Sequence, residues 1–133
     1  MEIGIDSFAS AMYGSNTLRS VDAMEQLLDR ITLADQAELD TFGIGEHHKK
    51  EFLDSAPAVI LAAAAARTKN IRLSSAVTVL STADPVRVYQ SFATLDLISK
   101  GRAEMVVGRG SAIEAYPLFG FVLKDYDALF KDK

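Results

Sequence analysis

The sequence predicts an α/β protein in which helices cover a parallel β-sheet. The clearest evidence lies between Ile71 and Gly110, where a strand pattern, a helix pattern and a second strand pattern follow one another. Two strands joined by a helix of this length run parallel, because the crossover returns the chain to the same end of the sheet. The same alternation occurs twice before this stretch, so we predict the order β-α-β-α-β-α-β in a single domain over residues 1–133.

The part of the chain before Ile71 predicts two strand–helix pairs. We predict strands at residues 2–8 and 41–45, helices at residues 21–37 and 57–68, and loops at residues 9–20 and 49–55. The first loop contains Gly14, Ser15 and Asn16, which favour turns. Asn70 is expected to close the second helix in the left-handed conformation, a role that asparagine shares with glycine.

The third unit has its own signals for the start and the end of a helix. We predict strands at residues 71–80 and 103–107, a helix between them, and a short helix near residues 125–130 in an otherwise irregular tail. Asp84 is a good N-cap, and Pro85 suits the first helical position, where its missing N–H costs nothing. Lys100 and Gly101 predict the end of the helix, because a cation suits the negative end of the dipole and glycine adopts positive φ.

Composition excludes several classes of function. The net charge of −4 argues against general binding of nucleic acid or of anionic membranes. The chain has no cysteine, which excludes disulfides, thiolate metal sites and cysteine nucleophiles. We find neither a signal-peptide pattern nor an apolar run long enough to span a bilayer, and we therefore expect a cytoplasmic protein.

Polar residues are concentrated where the predicted strands end. They are Asp6 and Ser7, then Glu46 to His48, then Ser81 and Thr82, and finally Arg109 to Ser111. Ligands of parallel α/β folds bind at the carboxyl ends of the strands. Four polar strand ends at one edge of the sheet therefore predict a ligand site there.

Two of these strand ends contain residue types that suit anion binding or proton transfer. Arg109 lies between two glycines and could hold a phosphate, because its guanidinium offers a fixed fork of donors. A surface arginine in a turn is the alternative. His47 suits proton transfer near neutral pH, although the residues alone favour a structural histidine in a loop. Adjacent His47 and His48 point to opposite sides of an extended backbone, so we predict no metal site.

Four segments of the chain resemble the bacterial-luciferase-like flavin-dependent monooxygenases. They are residues 39–48 (LDTFGIGEHH), 76–87 (AVTVLSTADPVR), 95–102 (LDLISKGR) and 108–110 (GRG). That family folds as a (β/α)8 TIM barrel and uses O2 with reduced flavin mononucleotide (FMNH2) or, in a related branch, a deazaflavin. The resemblance implies the N-terminal half of such a barrel, about four β/α units. It also implies a small organic substrate and a flavin reductase as the source of reduced flavin.

The resemblance assigns roles to individual residues. It implies that Arg109 and Gly110 bind the flavin phosphate. It implies that Ala76–Val77 supports the flavin ring, often through a cis peptide bond in the family. His47 is implied as the catalytic base, and Glu46 as a supporting residue that also binds the cofactor. No residue is implied as a metal ligand.

Two further features of the sequence bear on the resemblance. Residues 100–102 match the family but lie at the opposite end of the sheet from the predicted site, so we expect a structural role for them. Glu38 departs from the family, in which glycine often stands at this helix-to-strand turn. We expect the Glu38 side chain to resist positive φ.

The length of the chain implies only part of a barrel. A TIM barrel takes about 250 residues, so 133 residues imply a truncated member or a piece of a longer enzyme. A half-barrel leaves two unpaired strand edges and an uncovered apolar inner face, from which we expect a homo-oligomer. The alternatives to a monooxygenase are a non-catalytic, flavin-binding half-barrel and a deazaflavin-dependent hydride-transfer enzyme.

Overall fold

The computed structural model describes residues 1–13, 16–17, 19–110 and 112–133, and the expected turn residues Gly14 and Ser15 and the strand-end residue Ser111 lie outside the described residues. The strands are β1 (Gly4–Ser7), β2 (Met12–Tyr13), β3 (Asn16–Thr17), β4 (Thr41–Ile44), β5 (Arg72–Ser75), β6 (Thr78–Val79), β7 (Ala103–Glu104) and β8 (Val107–Gly108). The α-helices are α1 (Ser20–Gln36), α2 (Pro57–Arg67), α3 (Pro85–Ser99), α4 (Ala115–Leu118) and α5 (Tyr126–Lys131). Short 3-10 turns cover Leu80–Thr82 and Leu123–Asp125.

The main sheet has the predicted parallel architecture. Its strand order is β1-β4-β5-β7, and each neighbouring pair is parallel. The crossovers through α1, α2 and α3 connect neighbouring strands, which confirms the α/β class. Strands β2 and β3 form an antiparallel pair within the segment that the sequence predicts as a loop.

The predicted strand at residues 71–80 is interrupted in its middle. Strand β5 ends at Ser75, and β6 begins at Thr78 and pairs in parallel with β8 in a separate two-stranded sheet. Between them, the Ser75 hydroxyl accepts a hydrogen bond from the Val106 N–H at 3.1 Å and donates one to the Val106 carbonyl at 3.0 Å. The Val106 carbonyl also accepts a hydrogen bond from the Thr78 N–H at 2.8 Å, so a side-chain bridge stands at the interruption and backbone pairing resumes directly after it. The peptide bond between Ala76 and Val77 is cis, as the resemblance predicts.

The apolar core lies between the main sheet and helices α1, α2 and α3. Its fully buried members include Leu27, Ile31, Phe42, Ile44, Leu61, Leu73 and Leu95. These residues come from both the helices and the alternate positions of the strands that face them, which is the pattern that the helical spacing predicts. Helix α3 starts as predicted, because the Asp84 carboxylate accepts hydrogen bonds from the N–H groups of Val86 (2.8 Å) and Arg87 (3.3 Å).

The end of α2 differs from the prediction. Asn70 does not adopt the left-handed conformation, and Thr68 after the helix is extended. The Arg102 guanidinium closes the helix instead, by donating to the carbonyls of Ala65 (3.1 Å) and Thr68 (3.2 Å). A cationic side chain can satisfy the free carbonyls at a helix end in place of a left-handed residue. The expected structural role of residues 100–102 is therefore confirmed.

Two side-chain-bearing residues adopt positive φ at turns. Glu38 has φ of 60°, so the expectation that its side chain resists this conformation is wrong. Lys100 has φ of 61° and is followed by Gly101 at 85°, so the predicted helix end takes two left-handed residues. The left-handed conformation costs a side-chain-bearing residue roughly 1–2 kcal/mol, which the rest of the fold offsets at both turns.

The face of the sheet opposite the helices is polar, so the expectation of an apolar inner face is wrong. Arg72 on β5 pairs with Glu2 (2.8 Å) and with Glu104 on β7 (2.7 Å), and Thr41 lies 3.3 Å from Glu104. Strands β1 and β7 are the two edges of this sheet, as expected. Among the described residues, no helix combines the length and the apolar character that crossing a membrane requires.

Candidate functional site

A cavity of about 150 Å³ lies at the carboxyl ends of β4, β6 and β8, where ligands of parallel folds bind. It is lined by Phe8, Glu46, His47, His48, Ala76, Val77, Val79, Gly110, Ala112, Glu114 and Ala115. The structure therefore brings together five of the six predicted site residues. The sixth, Arg109, does not line the cavity. Of the remaining polar strand ends, Asp6 and Ser7 do not line it either, and Ser81 and Thr82 are buried outside it.

Glu46 links the end of β4 to β6. One carboxylate oxygen accepts a hydrogen bond from the Val79 backbone N–H at 3.0 Å, and the other lies 2.9 Å from Nε2 of His48. Both side chains are largely buried. Both oxygens of Glu46 are thus engaged by protein groups at the wall of the cavity.

His47 is held on three sides. Its Nδ1 lies 3.3 Å from Oδ1 of Asp54, and its ring stacks on Phe52 with centroids 4.4 Å apart. The Phe8 ring meets it edge-on at 4.7 Å. Gly45 makes this approach feasible, because a Cβ there would lie 2.8 Å from the Phe8 ring and 2.9 Å from Cε1 of His47. The sequence places two glycines near this point, and here a side chain packs against the backbone of one of them.

His48 has a different environment, as the extended backbone predicts. Its ring pairs with Glu46 and meets Phe119 edge-on at a centroid distance of 5.0 Å. The two histidines therefore share no partner in the part of the chain that the structure describes. Within the described residues, no group of three or more histidine, aspartate or glutamate side chains is arranged to hold a metal ion.

Arg109 lies beside the cavity in a loop that two tyrosines hold. The Tyr116 hydroxyl donates to the Arg109 carbonyl at 3.1 Å, and the Tyr126 hydroxyl donates to the Gly110 carbonyl at 2.8 Å. The guanidinium lies 5.2 Å from the centre of the Tyr126 ring and 2.7 Å from the Asp127 carboxylate. Its side chain is 51% exposed, so the cation remains accessible from solvent.

Two acidic residues at the site are not predicted from the sequence. Asp54 is fully buried and contacts His47, although it lies in a segment that predicts a charged loop. Glu114 lines the cavity from the irregular tail. Both of its carboxylate oxygens are buried and have no hydrogen-bond partner among the described residues, and the Lys49 ammonium is 3.7 Å away. The sequence signal that could have pointed to Asp54 is its position seven residues after the candidate histidine His47. Glu114 has no comparable sequence signal.

The fold is shared with solved structures of oxygenases. The monooxygenase RslO1 from Streptomyces bottropensis superposes with a TM-score of 0.87 at 27% identity, over 99% of this chain and 40% of RslO1. The oxygenating constituent of 3,6-diketocamphane monooxygenase from Pseudomonas putida, solved with FMN, has a TM-score of 0.86 at 22% identity, over 99% of this chain and 37% of that one. Coenzyme F420-dependent enzymes are also among the similar structures, at 22% and 23% identity.

Sequence relatives indicate the same family. The alkanal monooxygenase alpha chain of Photorhabdus laumondii is 32% identical over 109 residues, which cover 81% of this chain and 30% of that protein. This chain thus spans about a third of the length of that relative. The family model of luciferase-like monooxygenases matches residues 1–133. With this match over its whole length, the chain belongs to the luciferase-like monooxygenase family.

Proposed function

We propose that the cavity at the strand ends binds the ring of reduced FMN, and that the chain contributes this site to a flavin-dependent monooxygenase. The reaction proposed is the oxidation of a small organic substrate by O2. The observation that carries the proposal is that residues following three different strands line one cavity. These residues are Glu46 and His47, Ala76 and Val77, and Gly110.

The lining of the cavity fits a planar aromatic ring with polar edges. Ala76, Val77 and Val79 offer apolar surface, while His47 and Glu114 offer polar atoms. Glu114 forms an ion pair with Lys49 at 3.7 Å, but its buried oxygens accept no hydrogen bond among the described residues. A buried acceptor without a hydrogen bond carries a cost in free energy. A ligand that brings N–H or O–H groups removes this cost. The flavin ring and its ribityl chain carry both kinds of donor.

We propose that Arg109, beside the cavity, binds the phosphate of the same ligand. Its present partner, Asp127, is 73% exposed, and the guanidinium is 51% exposed. An ion pair as exposed as this one contributes only about 0–1 kcal/mol. A phosphate dianion can therefore replace Asp127 at little cost and gain charge-assisted hydrogen bonds from the fork of guanidinium donors.

The remaining roles follow from the contacts in the site. Reduced flavin supplies the electrons with which O2 is activated, and a flavin reductase is the proposed source of reduced flavin. His47 handles a proton through its Nε2, because its Nδ1 is engaged by Asp54. Glu46 holds the end of β6 in place through the Val79 N–H. Phe8 and Phe52 exclude water from one side of the imidazole.

We also propose that these residues form the N-terminal half of a TIM barrel. The open edges support this proposal, because Ile3 before β1, Ile5 in β1, and Met105 and Val106 beyond β7 are exposed. In a closed barrel, further strands and helices cover such edges. Pairing of two copies is the proposed arrangement for the chain by itself.

Two other functions remain as candidates. A non-catalytic flavin-binding protein would use the same cavity and the same arginine without turnover. A deazaflavin-dependent oxidoreductase is supported by the F420-dependent enzymes among the similar structures. A preference for a deazaflavin over FMN distinguishes this oxidoreductase from a monooxygenase.

A titration with FMN, followed by flavin fluorescence, tests the ring site. Val77→Asp places a charge on the apolar wall of the cavity, and Val59→Asp places the same charge on the exposed face of α2. We expect saturable quenching with the unmodified chain and with Val59→Asp, and its loss with Val77→Asp. Equal binding by the two variants, each checked for folding by circular dichroism, contradicts the proposed location.

Turnover is tested separately. The alkanal monooxygenase relative suggests an alkanal as the probe substrate. We expect O2 uptake that requires the alkanal and reduced FMN together. Binding without this uptake favours the non-catalytic candidate, and a preference for reduced F420 favours the deazaflavin enzyme.

A further inference from the structure

Asp54 is a fully buried carboxylate whose two oxygens have different partners. Oδ2 accepts a hydrogen bond from the Ala9 backbone N–H at 3.0 Å, and Oδ1 lies 3.3 Å from Nδ1 of His47. Aspartate is almost never fully buried unless it is paired, because a buried charge without partners is very unfavourable. For this contact to be a hydrogen bond, His47 must therefore carry a hydrogen on Nδ1.

We propose that Asp54 is a positioning residue that holds neutral His47 as the Nδ1–H tautomer. An ionised carboxylate only accepts hydrogen bonds, so the ring nitrogen that faces it must be the donor. In neutral imidazole the other nitrogen, Nε2, then carries the lone pair. Asp54 thus leaves Nε2 as the nitrogen that accepts a proton from an occupant of the cavity.

The aromatic neighbours support a fixed ring rather than a mobile one. Phe52 stacks on the imidazole with an interplanar angle of 26°, and Phe8 meets it at 88°. A half-turn of the ring about its Cβ–Cγ bond would break the contact with Asp54, and a partial turn would also break the stack on Phe52. The orientation of Nε2 is therefore set by the same residues that set the tautomer.

A purely structural role for Asp54 is the competing explanation. Besides the Asp54–Ala9 bond, the Leu53 N–H donates to the Ala9 carbonyl at 2.6 Å, so this segment also fastens the chain after β1. Only the part of the inference in which His47 accepts a proton rests on the proposed function. The tautomer itself is a property of the chain without any ligand, and it can be measured without activity.

The variant Asp54→Asn separates the two explanations because the amide is isosteric with the carboxylate. Its oxygen can keep the hydrogen bond from the Ala9 N–H, while its NH2 group donates to Nδ1 of His47. The fastening of the chain is preserved, and the histidine must move its hydrogen to Nε2. In a well-studied serine protease triad, this substitution leaves the geometry intact and fixes the wrong tautomer.

Long-range ¹H–¹⁵N correlation spectra of the histidine-labelled chain, recorded at a pH at which both imidazoles are neutral, read both tautomers directly. We expect Nδ1–H for His47 in the unmodified chain and Nε2–H in Asp54→Asn. His48 is an internal control, because its Nε2 faces Glu46 at 2.9 Å and its spectrum stays the same. Asp40→Asn is the matched control variant, since Asp40 accepts the Ile3 backbone N–H at 2.6 Å.

An Nε2–H tautomer of His47 in the unmodified chain, or the same tautomer in the unmodified chain and in Asp54→Asn, overturns the inference. Neither result affects the FMN titration, and a failure of FMN binding leaves the tautomers measurable. If the chain turns over, the wrong tautomer should lower its rate by about 10²–10⁴-fold, which is the range for general acid–base catalysis.

Discussion

Asp35 connects the end of α1 to the start of β5, and we predict that its charge stabilises the fold. Its carboxylate accepts hydrogen bonds from the backbone N–H groups of Lys69 (2.9 Å), Asn70 (2.8 Å) and Ile71 (2.7 Å). Burial raises the pKa of the Asp35 carboxyl. The three backbone N–H groups and Arg102 together lower this pKa by more than burial raises it, so it lies below the usual value. The charged form is therefore favoured in the folded state.

The expected loss of stability follows from these three bonds. Hydrogen bonds to charged groups contribute about 1.5–3 kcal/mol each, and they are not additive. Asp35→Ala regains roughly 0.5 kcal/mol of helix propensity and roughly 0.3–1 kcal/mol from removing a negative charge near the end of α1. We expect a net loss of about 3 kcal/mol in the free energy of unfolding. Asp35→Asn keeps the two bonds to its oxygen and should lose about 1–2 kcal/mol.

Urea unfolding at several pH values provides the assay. Because the pKa of Asp35 is lower in the folded state, its contribution is complete above the unfolded pKa of about 3.9. It is lost as the pH falls through the folded pKa. The difference between the unmodified chain and Asp35→Asn should be constant near neutral pH and shrink below about pH 4. Asp29→Asn, an exposed change on the same helix, should cost under about 0.5 kcal/mol. A difference that is unchanged at low pH, or that matches the Asp29 control, refutes this reasoning.

Three more predictions concern backbone conformation and are also checked by urea unfolding. Glu38→Gly should stabilise the fold by about 0.5–1 kcal/mol because the native φ is 60°, and no gain would contradict this. Asp84→Ala should cost about 1 kcal/mol through loss of the N-cap of α3; Asp84→Asn, which can still cap, should cost little. Gly110→Ala should cost about 2 kcal/mol, because φ is 78° and a Cβ would lie 2.7 Å from Val79. A neutral Gly110→Ala would contradict the tight packing of this loop.

The helices were predictable because their signals are local. The residues Asp84 and Pro85 start α3 where expected, and the apolar spacing of Leu27, Leu28 and Ile31 identifies the buried face of α1. Such patterns are decided within a few turns of chain. The strand breaks were not predictable from local signals, because the bridge at the interruption joins Ser75 to Val106, 31 residues away.

The site residues that belong to motifs of the resembling family were predictable. Those whose role depends on burial in the folded chain were not. Residues 46–48, 76–77 and 110 meet as the motifs imply. Asp54 looks like a solvated residue of a charged loop, and only tertiary packing buries it. The partner of Arg109 could not be predicted either, because Asp127 lies 18 residues further along the chain, on the short helix α5.

The measurement that tests the central claim most directly compares FMN with riboflavin, which lacks the phosphate. Arg67→Ala is the matched control for Arg109→Ala, because Arg67 is also an arginine in an ion pair of 2.7 Å, with Glu25 on the helical side of the fold. We expect the unmodified chain and Arg67→Ala to bind FMN about 10–100-fold more tightly than riboflavin, since a charge-assisted bond contributes about 1.5–3 kcal/mol. Arg109→Ala should bind the two equally. The same FMN preference in Arg109→Ala as in the unmodified chain, or no saturable binding of either ligand, contradicts a flavin site at these strand ends.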